Sequence, residues 1–187
     1  MRISLLITLT LFIIGTLSAR AAAPPPRPYS GCGVLEIPQV PATEPAPIAI
    51  YAEPGVQRVA EREIQALPSL RGNQEPPLIA VGAVKAGWVR LFFDNAGREG
   101  WVEKPRPWDY LPWREFLPGR QVRMLPGMKK GLYLLKGEPR ENGPERGVLS
   151  RGQLVRVIQV EGDWARLQAP PGWFRWRDRD GRLTVSP

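Results

Sequence analysis

Histidine is absent from the chain, and cysteine occurs once, at Cys32. The first absence removes the Ser-His-Asp and Cys-His arrangements that activate a nucleophile. It also removes the commonest general base and histidine-based zinc sites. A single cysteine excludes an intramolecular disulfide. Carboxylates, lysines and tyrosines remain, but no pattern assembles them for a reaction. The acidic pairs Glu61/Glu63 and Asp178/Asp180 fall in an insertion and at a hairpin tip, not in a desolvated cleft. The expectation is a protein that is not an enzyme, with no metal and no cofactor. Apolar length is also short. The run at residues 5–17 has 13 residues, against about 20 needed to span a bilayer.

That run has another use. It follows the charged start "MRIS" and precedes the small residues "SARAAA", which is the layout of a secretory signal peptide over 1–23. Cleavage after Ala21 or Ala23 fits equally well. The chain is therefore expected to be exported to the periplasm or cell envelope, with no transmembrane segment once processed. Arg2 and Arg20 leave with the leader, so the formal charge drops from +8 to +6, 24 basic residues against 18 acidic. A basic exported protein meets wall polymers, lipid surfaces and acidic proteins rather than nucleic acid, unless its charge serves only solubility. Cys32 lies 15 residues beyond the apolar run, behind Tyr29-Ser30-Gly31. Tyrosine is a poor substitute for the leucine-like residue of a lipidation signal, which argues against anchoring through Cys32.

Residues 24–47 are dense in proline, which blocks helix and leaves few donors for a sheet. They read as an extended arm with one possible short strand at 34–37. Short β-runs cut by turns follow: 48–52, 78–93 with a turn at Ala86-Gly87, 100–103, 121–125, 131–136, 153–160, 163–169 and 172–178. The one sizeable helix candidate is "VQRVAEREIQALPSL" (56–70), whose apolar stripe is only partial. "WDYLPWREFL" (108–117) can supply one helical turn.

The chain also resembles itself. With Trp88 placed on Trp164, residues 78–91 and 154–167 share six identities in 14 positions without a gap. They are the pairs Leu78/Leu154, Val81/Val157, Val84/Val160, Trp88/Trp164, Arg90/Arg166 and Leu91/Leu167. A Gly-Trp pair follows in each half, Gly100-Trp101 and Gly172-Trp173. A Glu-Pro pair precedes each half, Glu53-Pro54 and Glu138-Pro139. Two copies of one β-unit are expected, over 48–105 and 131–187. A segment at 106–130, rich in aromatics, joins them and is expected to pack between them.

"LLKGEP … GVLSRGQLVRVIQVEGDWARLQAPPGWF" resembles the bacterial SH3-like domain family. Gly152, Val155 and Val157 match its second element. Gly162, Asp163, Trp164, Arg166 and Leu167 match the third, and Gly172, Trp173 and Phe174 the fourth. The match covers nearly all of the second half and residues 78–102 of the first, with the 56–77 stretch as an insertion. The resemblance implies an all-β fold of two small SH3-like barrels in tandem. It also implies an aromatic-lined groove that serves cell-wall attachment or partner recruitment.

The aromatic residues then divide into two sets. Trp88, Trp101, Trp164 and Trp173 recur in both copies and are expected to be packing posts, together with Val81 and Val157. Trp176, Trp108, Tyr110 and Trp113 lie outside the repeat pattern, and Tyr51 and Tyr133 lie near the early strand. These six are the candidate ligand residues, with Arg175 and Arg177 available to pair with carboxylates or stack on rings. The expected function is non-catalytic binding of peptidoglycan or another envelope component. The alternative is a scaffold for protein–protein interaction in the envelope.

Overall fold

The computed structural model describes residues 30–38, 47–72, 74 and 76–187. The expected leader therefore lies outside the described residues, as does most of the expected arm. The chain is all-β and forms two separate antiparallel sheets of seven strands, neither of which closes into a barrel. No helix among the described residues is long and apolar enough to cross a membrane.

The first sheet contains β1 (Gly33–Glu36), β2 (Ile48–Tyr51), β3 (Arg58–Arg62), β4 (Leu78–Lys85), β5 (Trp88–Phe92), β6 (Glu99–Glu103) and β7 (Asp109–Pro112). Its order is β3-β2-β6-β5-β4-β1-β7. The second contains β8 (Gln121–Met124), β9 (Leu134–Lys136), β10 (Glu145–Val148), β11 (Leu154–Glu161), β12 (Trp164–Leu167), β13 (Gly172–Arg175) and β14 (Val185–Ser186). Its order is β10-β9-β13-β12-β11-β8-β14, the same order with every label raised by seven.

The registers repeat as well as the order. In the first sheet Val81 faces Leu91 and Lys85 faces Trp88, with a bulge after Val81. In the second Val157 faces Leu167 and Glu161 faces Trp164, with a bulge after Val157. A bulge conserved in place between two sheets is a feature of the design, bending both long strands at one point. The hairpin turns differ in detail. Ala86 and Gly87 both have positive φ, as a type I′ turn requires, whereas in the second sheet Gly162 has it and Asp163 does not.

Gly100 and Gly172 also occupy equivalent positions, facing Leu91 and Leu167. A Cβ on Gly100 would lie 2.3 Å from Ile50 Cγ2, and one on Gly172 would lie 2.6 Å from Leu135 Cγ. Glycine is needed before each Gly-Trp tryptophan because β2 and β9 cross that close.

The repeating unit starts earlier than the sequence suggested. β1 pairs with β4 and β7, and β8 pairs with β11 and β14 in the equivalent places. Residues 33–36 of the expected arm are thus an interior strand, buried at Gly33, Val34 and Leu35. The expected linker is divided between the sheets. It supplies β7 to the first and β8 to the second, with the single helical turn α1 (Trp113–Phe116) between them. The 56–70 segment is not helical. It forms the edge strand β3 and a 3-10 turn at Ile64–Ala66. Its partial apolar stripe could not hold a helix against pairing with β2. Residues 130–133 likewise form a 3-10 turn, so the expected 131–136 strand shrinks to β9.

Alternation along β1 and β4 divides the interior. Leu35, Ile79 and Val81 face one core, which also holds Ile50, Val89, Leu91, Val102 and Trp108. Val34, Leu78 and Ala80 face the other. That second core also contains Trp113, Phe116 and Leu117 and the buried residues of the second sheet, among them Val155, Val157, Phe174 and Trp176. "LIAV" is a continuous apolar run because both of its faces are covered. Units of this size bury little surface on their own, and one shared core answers that shortage. Polar links cross the same boundary. Arg120 pairs with Glu36 at 3.1 Å, Ser30 bridges to Arg182, and the Ser186 hydroxyl donates to the Leu70 carbonyl at 3.4 Å.

Candidate functional site

The second sheet carries a cleft of about 770 Å³. One wall is the 125–134 segment between β8 and β9. The other is the 178–184 excursion between β13 and β14, and Lys136, Trp164 and Arg175 form the floor. Local hydrogen bonds shape both walls. Tyr133 donates its hydroxyl to the Leu125 carbonyl at 2.6 Å, tying the ends of the first wall together. The Asp178 carboxylate accepts from the amides of Asp180 and Arg182, both at 2.9 Å, which makes the turn of the second. Thr184 anchors that turn, its hydroxyl donating to the Arg175 carbonyl at 2.6 Å.

Arg175 faces Trp164 across the β12–β13 pair, with its guanidinium 5.8 Å from the indole. It pairs with Glu141 and lies 3.5 Å from Asp163. Burial, and after it the charge of Arg179, lowers the Arg175 pKa. Lys136 is largely buried and pairs with Glu145 at 3.2 Å. Five cations and three carboxylates line the cleft, so its walls carry an excess of positive charge beside one partly exposed indole.

The first sheet uses the same positions differently. Tyr51 occupies the place of Lys136, because each pairs with the Gly-Trp tryptophan of its own sheet. Glu103 occupies the place of Arg175, because each faces the tryptophan that opens the preceding strand. Tyr51 there meets Trp88 edge to face, with ring centroids 5.2 Å apart. Two rings in contact replace the cation-lined floor.

Of the residues expected to bind a ligand, Arg175 alone lines this cleft. Trp176 does not offer a face. It is 2% exposed in the shared core, 6.5 Å from Trp113, and its Nε1 donates to the Gly162 carbonyl at 3.0 Å. Trp113 is equally buried there, and Trp108 is buried in the first core. Placed at the boundary of two packed sheets, these rings complete cores. Arg177 lies over the Trp176 ring at 5.0 Å and pairs with Asp163 at 2.7 Å. Tyr133 is buried behind the cleft wall. Tyr110 packs on the first core, its hydroxyl donating to the Cys32 sulfur at 3.3 Å. Burial raises its pKa above the ordinary tyrosine value, and the bond to Cys32 adds to the effect.

Among the expected packing posts, Val81, Val157, Trp101 and Trp173 are buried, whereas Trp88 and Trp164 are half-exposed at the starts of their strands. Lys136, Glu141 and Arg179 line the cleft although none is among the candidates the sequence offers, and so does Trp164, expected as a packing post. The available signal was the difference between repeats, lysine against Tyr51 and arginine against Glu103. No protein-family model matches the chain, and no curated protein matches it.

Proposed function

We propose that the chain is a non-catalytic, exported binding module built from two SH3-like units, and that the second unit holds a peptidoglycan fragment in the cleft between 125–134 and 178–184. The observation that carries this reading is the contrast between equivalent positions. Both units leave the tryptophan half-exposed, but the first sets Tyr51 against Trp88, whereas the second sets Lys136 and Arg175 beside Trp164 in a cleft. An indole stacks on a sugar or peptide face, and the cations answer the carboxylates of wall peptides. The test is sedimentation of the processed chain with purified peptidoglycan at raised salt, beside a basic control protein of equal charge. Retention of this chain alone is the expected result. Equal retention of both, or of neither, overturns wall recognition.

A scaffold role in the envelope is the second reading. It is favoured by the edge strands β3 and β10, where Val59 and Val148 are 48% and 70% exposed and no further strand among the described residues pairs with the outer edge. That reading expects one stoichiometric envelope partner, released when Val148→Lys alters the β10 edge.

A further inference from the structure

Lys136 and Arg175 are cations with side chains only 11% and 15% exposed. Buried charge is costly unless it is paired. Each takes its nearest carboxylate from one hairpin, both of these carboxylates stand mostly in water, and Arg175 also lies 3.5 Å from Asp163. Glu145 is 61% exposed and Glu141 is 51% exposed. Glu141 also reaches Arg179, 3.5 Å away, so one carboxylate lies between two guanidiniums at the side of the cleft.

The fold itself does not call for this arrangement. The first sheet makes the same strands and registers with Tyr51 and Glu103 in place of the two cations. The loop that carries Glu141 is also particular to the second unit. Six residues separate the paired Tyr51 and Arg58, whereas eight separate the equivalent Lys136 and Glu145. The extra length places a carboxylate on cations that have no counterpart in the first sheet. An exposed acid on a loop can be exchanged for another acid at little cost, whereas the buried cation it covers cannot be left bare.

We infer that Glu141 is an internal stand-in for a ligand carboxylate, and that the cleft takes an acidic peptide whose own carboxylate displaces Glu141 from Arg175 and Arg179. This rests on the proposed wall-binding role and names the group recognised. Glu141 then sets a threshold, since neutral ligands of the same shape gain nothing from displacing it.

Calorimetric titration of the processed chain tests the inference. The probes are a soluble muropeptide with free peptide carboxylates and the same muropeptide with those carboxylates amidated. Glu141→Gln is expected to bind the acidic probe tighter by about three- to tenfold, the scale of one charge-assisted contact. Arg179→Gln, a change at a side chain 78% exposed, is expected to weaken it by a similar factor. The amidated probe should bind weakly to all forms. Unchanged or weaker binding in Glu141→Gln, or equal affinity for the two probes, overturns the carboxylate inference while wall binding stands. Failure of every form to bind either probe overturns both.

Discussion

Trp113 and Trp176 are neighbours in the shared core and equally buried, but they differ at one atom. Trp176 Nε1 donates to the Gly162 carbonyl, whereas Trp113 Nε1 finds no hydrogen-bond partner among the described residues. Replacing either by phenylalanine removes a similar volume, but only Trp176→Phe also loses a hydrogen bond, the one to the carbonyl of the exposed turn residue Gly162. Trp176→Phe should therefore be the more destabilising of the two, by about 0.5–1.5 kcal/mol in denaturant unfolding. Equal losses would show that the Gly162 bond has no net worth. Tyr110 offers a test in pH. Burial raises its pKa, so the folded state keeps a proton that the unfolded chain loses at about 10. The stability tied to this phenol is whole below that pH, and it is lost as pH climbs through the higher folded value. Tyr110→Phe should flatten the alkaline limb of the stability curve. The same limb in both proteins would place the alkaline sensitivity elsewhere.

At the scale of elements, the decisive strand is β1. It lies between β4 and β7 and sends Val34 to one core and Leu35 to the other. A chain begun at residue 48 should lack stable tertiary structure, whereas one begun at residue 30 should keep it. Dispersion of the amide spectrum distinguishes the two, and a well-dispersed spectrum from the shorter chain would contradict the role given to β1. The β4–β5 and β11–β12 hairpins were legible in the sequence because their register rests on local signals, a turn and alternating apolar positions. The β1 strand was less so. Its partners are 42 or more positions away in the chain, and its proline-rich surroundings read as an arm. β3 and β10 were illegible for another reason. They are exposed edges rich in charge, and pairing with β2 and β9 alone sets them. The cleft was hidden because self-comparison finds what the repeats share, and the cleft lies where they differ. Arg175 was visible only as a residue without a counterpart. Lys136 looked like the end of a strand.

Taken whole, the molecule is two copies of one strand order sharing a core. Residues of both sheets and of α1 meet in one cluster, and the two sheets should therefore unfold together. Coincident transitions followed by tryptophan fluorescence and by backbone dichroism are expected, and two separated transitions would contradict a shared core. Limited proteolysis gives a second view. The 106–125 stretch should resist cutting, since β7, α1 and β8 occupy most of it. The two copies differ most in the neighbours of their half-exposed tryptophans: Tyr51 beside Trp88 in the first, and cations beside Trp164 in the second. Binding, as proposed, belongs to this second copy. The decisive measurement is an amide chemical-shift titration of the processed chain with a soluble peptidoglycan fragment. Shifts should gather at 125–136 and 175–184 and at Trp164, while Tyr51 and Trp88 stay silent. A saturating titration that moves no resonance, or that moves the Tyr51 and Trp88 region instead, would contradict it.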